Sequence, residues 1–165
     1  MNGANTLIRH AKAADVEAVR KLLVETWHDT YDSLIGAAKV TEITNSWHSI
    51  ENLSRQLTMP DTSFLVAEEN GAIVGHILVT VQKTPFMMIS RLYVRPDRQR
   101  RGIGSTLIDA SAARHQNCDT FGLEVEADNK KGLSFYLREG FREVGRSVTQ
   151  GIDHIRMEKR LVKRS

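Results

Sequence analysis

The sequence of 165 residues predicts an α/β fold of the α+β kind, a mixed sheet of about seven strands with about four helices packed on its faces. Three observations carry that expectation. Phe64-Leu65-Val66-Ala67 and Ile73 to Val81 are apolar runs flanking Asn70-Gly71, a dipeptide suited to the positive φ angles of a tight hairpin. Beyond it, strand-like runs alternate with segments whose apolar residues recur at helical spacing. Between one such pair, Ile89 to Val94 and Ile103 to Arg114, lies the glycine-bearing run Arg98-Gln99-Arg100-Arg101-Gly102-Ile103-Gly104-Ser105.

The elements follow in order. Thr6 to His10 reads as a first strand. Asp15 is a reasonable N-cap for a helix carrying Val16, Val19, Leu22, Leu23 and Trp27 on one stripe. Trp27 to Trp47 has few clean periods and reads as a loop plus part of a second helix. Ser49 caps a further turn or two with Ile50, Leu53 and Leu57, stopped by Pro60. After the hairpin, a third strand runs from Met87 to Val94 and ends at Arg95-Pro96. Ile103, Leu107, Ile108 and Ala112 form the apolar face of the next helix. Phe121 to Val125 is a strand, and Asn129 caps a short helix to Arg138 that Gly140 terminates. Phe141 to Val148 and Asp153 to Leu161 read as a closing antiparallel pair. No repeat, low-complexity stretch or linker interrupts this order, so a single domain over 1–165 is expected.

Composition narrows the classes. No apolar run approaches the roughly 20 residues that span a bilayer, and Met1 to Arg9 lacks the apolar core of a signal peptide. Cys118 is the sole cysteine, which excludes an internal disulfide and suits a reducing, cytoplasmic setting. No Cys/His cluster has metal-ligand spacing, so no metal is expected. Residues 1–70 hold six Lys/Arg and ten Asp/Glu, while residues 71–165 hold 17 and ten, within a net charge of +3. A basic second half suits an anionic ligand and an acidic first half a cationic one. The tail Lys159-Arg160-Leu161-Val162-Lys163-Arg164 is short and has no interleaved aromatics, so nucleic acid is not an expected partner. Neither is a membrane.

The glycine run carries the first chemistry. A turn from strand to helix presents unpaired N–H groups at the positive end of the helix dipole, and glycines let a bulky anion come close. Leu107 stands where a dinucleotide fingerprint would place its third glycine, and no Gly-Lys-Ser/Thr ending follows. What remains is Gln-x-x-Gly-x-Gly after a strand. Leu92-Tyr93-Val94 precedes it; Leu123-Glu124-Val125, Asn129, Gly132, Phe135-Tyr136 and Gly140-Phe141 follow it. Over about residues 64–145 this array resembles the GNAT N-acetyltransferases, including the ribosomal-protein N-terminal acetyltransferase branch. The Trp-His-x-Thr-Tyr string at 27–31 is similar to uncharacterised bacterial members.

The resemblance implies a mostly antiparallel central sheet, acetyl-CoA as cofactor, and an amine, small-molecule or peptide, as acceptor. It leaves a homodimer open as the assembly. It assigns Leu92, Tyr93 and Val94 to the pantetheine arm, and Gln99, Arg100, Arg101, Gly102, Ile103, Gly104 and Ser105 to the pyrophosphate. A simple helix cap would also account for Ser105. Asn129 and Gly132, where the family usually has alanine, fall beside the cofactor arm, although Asn129 also suits an N-cap. Tyr136 corresponds to the residue that protonates the departing thiolate; packing on the sheet is the alternative. Many members carry a glutamate on the strand before the glycine run, and Ile89-Ser90-Arg91-Leu92 has none.

The next strand offers Glu124 and Glu126, two residues apart and on one face. Glu124, twelve positions before Tyr136, matches the base of the ribosomal-protein branch; an exposed structural glutamate or an ordered water chain is the alternative. A base matters because a lysine-like amine is neutral in only about one molecule in 2,500 at pH 7. Trp27, His28 and Tyr31 fall where the family builds its acceptor wall, though Trp27 also sits on the apolar stripe. Direct attack of a primary amine on the thioester is the implied reaction. A sensor that binds acyl-CoA without turnover is the other function compatible with these motifs.

Overall fold

A computed structural model describes residues 5–149 and 151–162. Chain order is β1 (Thr6–His10), α1 (Val16–Ile35), α2 (Ala37–Trp47), α3 (Ile50–Leu57), β2 (Thr62–Glu69), β3 (Ala72–Lys83), β4 (Phe86–Val94), α4 (Ile103–Arg114), β5 (Thr120–Glu126), α5 (Lys130–Arg138), β6 (Arg142–Thr149) and β7 (Ile152–Arg160). The strands form one sheet in the order β1-β2-β3-β4-β5-β7-β6. Every neighbouring pair is antiparallel except β4 and β5. Local chemistry explains several boundaries. Asn70 (φ 51°) and Gly71 (φ 83°) make the tight turn between β2 and β3. Ser49 accepts the Asn52 N–H and opens α3, as Asn129 accepts the Gly132 N–H and opens α5.

Two hydrophobic layers sandwich the sheet. Leu65, Ile77, Val79, Leu107, Ile108, Phe121 and Phe141 pack between one face and α4 and α5, with Cys118 buried among them. Val19, Leu23, Leu53, Phe64 and Val66 join the opposite face to α1 and α3. A smaller cluster of Trp27, Tyr31, Val40 and Ile43 lies between α1 and α2.

Two expectations need correction. The stretch from Trp27 to Trp47 is helical throughout apart from a break at Gly36 (φ 91°), so five helices flank the sheet. Tyr31 continues the stripe of Leu23 and Trp27, and Val40 and Ile43 of α2 cover it. Polar His28, Asp29 and Asp32 between them blur the period in sequence. Asp15 also does not cap α1. Its carboxylate turns back to the Lys12 N–H at 2.7 Å and to Arg9 at 2.7 and 2.9 Å, closing the 3₁₀ turn before the helix. The basic tail is in part strand, since Lys159 and Arg160 end β7; Lys163 and Arg164 lie outside the described residues, as do Met1 to Ala4 of the N-terminal stretch. Among the described residues, no helix is long and apolar enough to cross a membrane.

One irregularity positions everything that follows. In the β3–β4 ladder Leu78 pairs with Arg91 but Val79 pairs with Ile89, so Ser90 is an extra residue in β4. Met87 and Ile89 face the α4 layer before this bulge, and Leu92 and Val94 face it afterwards. Arg91 and Tyr93 are thereby turned to the α1 and α3 side, where strict alternation from Ile89 would not put them. β4 also stops pairing with β5 here: the parallel ladder covers only Phe86, Met87 and Met88 against Thr120, Phe121 and Gly122. Past that point the two strands part.

Candidate active site

The gap between β4 and β5 opens a continuous cavity of about 1260 Å³ through the centre of the sheet. At one end stands the glycine run. Arg100 (φ 65°) and Gly102 (φ 82°) occupy the left-handed region, and Gly102 is the N-cap of α4 without any side-chain cap. The first α4 N–H to find a backbone acceptor is that of Thr106, on Gly102 O at 3.0 Å. Arg98 does not add a free charge to this end: its Nε donates to Glu69 Oε1 at 3.0 Å and its Nη1 to Asp97 Oδ2 at 2.9 Å. Gln99 Nε2 donates to Val94 O, bracing the loop against the end of β4.

The second glycine of the run has a packing role. A Cβ on Gly104 would stand 2.9 Å from Phe135 Cζ, so its absence lets α5 lie directly on the start of α4. Ser105 Oγ donates to Glu139 Oε2 at 2.6 Å, tying the same two helices together rather than capping α4. Gly132 is crowded by Asn129, whose Nδ2 would lie 2.7 Å from an added Cβ.

The middle of the cavity is a cluster of phenols around one carboxylate. Tyr31 donates to Glu126 Oε2 at 2.5 Å, and Asn129 Nδ2 donates to the Tyr31 oxygen at 3.4 Å. His154 Nε2 stands 3.9 Å from Glu126 Oε1. Burial first, and then the charge of Glu126, push Tyr136 well above the usual phenol value. Burial, Glu126 and Tyr136 raise Tyr93 in the same way. For Tyr31 burial again leads, followed by Tyr93 and Glu126. All three therefore hold their protons at neutral pH. Trp27 packs on Tyr31 with ring centroids 4.5 Å apart, and Trp47 meets Trp27 edge-on at 5.8 Å.

The chain matches the acetyltransferase (GNAT) domain model over residues 31–161. It belongs to the GNAT acetyltransferase family. Its fold superimposes with a TM-score of 0.85 on the PaiA N-acetyltransferase of Thermoplasma acidophilum in complex with coenzyme A, at 25% identity, covering 94% of this chain and 99% of that one. The spermidine N(1)-acetyltransferase of Thermoplasma acidophilum is 26% identical over 159 residues, 93% of this chain and 96% of its own. The peptidyl-lysine N-acetyltransferase YiaC of Escherichia coli is 27% identical over 140 residues, 84% of each. Family membership makes the chain an N-acetyltransferase, and members of this family use acetyl-CoA.

In this acetyltransferase most of the residues singled out by the sequence converge on the one cavity. Leu92, Tyr93 and Val94 line it from β4, and Gln99, Arg100, Gly102, Ile103, Gly104 and Ser105 from the loop and α4. Glu124, Asn129, Gly132 and Tyr136 line the opposite wall, and Trp27 and Tyr31 close it from α1. Two residues fall elsewhere. His28 is turned toward Asp32, at 2.6 Å, and Thr41, at 3.4 Å, and does not line the cavity. Arg101 is likewise off its wall. Sequence reasoning missed the hydrogen bond between Glu126 and Tyr31, which are too distant in the chain for any spacing rule to join. It also missed Arg91 and Gln56, which line the same cavity and meet at 2.7 Å. Among the described residues, no group of three or more His, Cys, Asp or Glu is placed to hold a metal ion.

Proposed function

We propose that this chain is a single-domain, cytoplasmic, acetyl-CoA-dependent N-acetyltransferase that transfers the acetyl group to a primary amine by direct attack within a ternary complex. One observation carries the reading: a single cavity joins an uncapped helix start, with a left-handed Gly102, to a wall bearing Tyr136, Glu124 and Glu126. The free N–H groups of Ile103, Gly104 and Ser105, with Arg100, suit a pyrophosphate. The edge of β4 left unpaired beyond Met88 suits an amide-bearing arm laid along it as an added strand. Acetyl-CoA supplies an activated thioester; the remaining chemistry belongs to side chains of the protein.

Tyr136 Oη, holding its proton at neutral pH, donates to the thiolate sulfur as it departs. Glu124, at the exposed edge of the cavity wall, takes the proton from the ammonium of the acceptor. Glu126, already accepting from Tyr31, fixes α1 against β5. The relatives named for peptidyl-lysine and spermidine support a primary amine as acceptor.

The experiment is ligand-dependent melting. Acetyl-CoA at about 100-fold its Kd should stabilise the fold by about 2.7 kcal/mol, roughly 5–10 °C in Tm for a chain this long. NAD at the same concentration should leave Tm unchanged. No shift at millimolar acetyl-CoA would remove the assignment.

A further inference from the structure

On β4, one pleat farther from the glycine loop than Tyr93, the cavity wall holds a buried cation without an anion. Arg91 is 9% exposed and lies on the α1 and α3 side of the sheet because of the extra residue at Ser90. Its Nε donates to His76 Nε2 at 2.8 Å, its Nη1 to Gln56 Oε1 at 2.7 Å, and its guanidinium covers the Phe64 ring at 5.4 Å. All of these partners are neutral. His76 Nδ1 sits 2.9 Å from Leu65 O, so it is the donor there and its Nε2 is left to accept from Arg91. Burial, then Arg91 itself, keep His76 uncharged. Neighbouring His48 is also neutral, pushed down to about 3 by burial, Arg91 and Arg20.

Nη2 of Arg91 is buried with no hydrogen-bond partner, and among the described residues no carboxylate lies within ion-pair distance of the guanidinium. Burial lowers Arg91 to about 10, which leaves it fully charged at neutral pH. A buried charge with several unspent N–H donors and no counter-ion calls for an explanation in the folded protein. The bonds from Nε to His76 and from Nη1 to Gln56 link the sheet to α3, and they leave Nη2 without a role in that strut. Arg91, Gln56, His48 and Arg55 line the same cavity as Tyr136 and Glu124. Arg91 is one pleat from Tyr93 on the same face, a spacing of about 6–7 Å along a strand. Tyr93 in turn feels the charge of Glu126. Cation and carboxylate wall thus border one cavity, with Tyr93 between them in this chain of neighbours.

Given the acetyl transfer proposed above, on which this rests, we infer that Arg91 receives an anionic oxygen group, carboxylate or phosphate, of the acceptor, which is a zwitterionic amine rather than a polyamine. Planar bidentate pairing is what a guanidinium fork offers either group. The uncompensated positive charge also disfavours a second ammonium beside Arg91, where a polyamine would place one.

Matched acceptors test this directly. Acetyl transfer to ornithine and putrescine, to lysine and cadaverine, and to phosphoethanolamine and ethanolamine is compared in wild type, Arg91→Met and Arg91→Lys. In wild type kcat/KM should favour the anionic member of at least one carboxylate or phosphate pair by roughly 10–100-fold, and the favoured pair names the group. Arg91→Met should shrink that ratio to within about threefold, and Arg91→Lys should leave an intermediate ratio, because the charge remains and the fork is lost. A retained rise in Tm with acetyl-CoA shows that each variant is folded; should Arg91→Met not fold, Arg91→Lys carries the test. A polyamine preferred by wild type, or a ratio that survives both substitutions, would overturn the proposal. Absence of turnover with every acceptor would count against the acetyl transfer itself. The anion site is then decided by calorimetry with CoA-saturated protein: N-acetylornithine should bind and N-acetylputrescine should not, or N-acetylphosphoethanolamine should bind and N-acetylethanolamine should not. Equal binding within both pairs, or no binding of any of the four, overturns it.

Discussion

Tyr31 and Glu126 lie 95 positions apart in the chain and share a hydrogen bond of 2.5 Å between phenol and carboxylate. The bond joins the last turns of α1 to the end of β5, the two elements that bound the cavity near its centre. It explains why α1 has to run on to Ile35 rather than end near Trp27. It also makes Glu126 the charge that three tyrosines sense.

Replacing Tyr31 by Phe leaves Glu126 half-buried without its donor. A loss of about 1–3 kcal/mol in stability is expected, the cost of a buried acceptor whose hydrogen bond is not made. Chemical denaturation measures it, and the acetylation rate should fall with it because α1 loses its tie to the cavity wall. A loss under about 0.5 kcal/mol would mean that water replaces the phenol at no cost.

Gly104 and Gly132 should respond differently to alanine. In either helix alanine gains about 1 kcal/mol of propensity over glycine. At Gly104 the new methyl would meet the Phe135 ring at 2.9 Å, and overpacking of about 1–3 kcal/mol outweighs that gain. At Gly132 it meets Asn129, a side chain that can swing away at the cost of an N-cap worth about 1 kcal/mol. Gly104→Ala is therefore expected to be destabilised and to weaken acetyl-CoA binding, with Gly132→Ala close to wild type in Tm.

Much of this architecture was legible in short-range signals. Asn70-Gly71, Ser49 and Asn129 declare their turn and caps because each acts on backbone within three residues of itself. The loop at Gly102 was legible for the same reason. The helical run through Tyr31 was not, since its polar face and the break at Gly36 hide a stripe that α2 completes. The resemblance to the GNAT family implies a bulge in β4, but no residue type marks Ser90 as the extra one, and without the bulge Arg91 would be placed on the wrong face. His28, adjacent to Trp27 in sequence, is rotated off the cavity by about 100° of helix, which proximity in the chain conceals.

Acid should destabilise the protein through its buried histidines. His48 is held neutral in the fold, with its value lowered to about 3, whereas the unfolded chain takes up a proton near the ordinary value of 6.5. The unfolded state thus binds more protons between those limits, and stability present above pH 6.5 is lost as pH falls toward 3. His76 is lowered too and adds to the slope in the same direction. Each contributes up to about 1.4 kcal/mol per pH unit. Melting between pH 7.5 and pH 4.5 should show the decline, and His48→Gln should flatten it; an unchanged slope would place the acid sensitivity elsewhere.

Tyr136 and Glu124 carry the proposed proton transfers and have separable signatures. Tyr136→Phe should lower kcat about 100-fold or more while acetyl-CoA affinity changes little, because the hydroxyl acts on the departing sulfur. Glu124→Gln should lower the rate most at pH values well below the pKa of the acceptor, where the ammonium has to be deprotonated. As pH approaches that pKa the deficit should shrink. A rate near wild type at every pH would give the base role to Glu126 or to water.

Incubating the pure protein with acetyl-CoA and a primary amine, and following both free thiol and amide product, is the most direct measurement of the central claim. Thiol and amide should appear in equal amounts, only when both substrates are present, with initial-velocity lines that intersect as a ternary complex requires. Thiol release without amide, or no release from any amine at millimolar concentration, would contradict it.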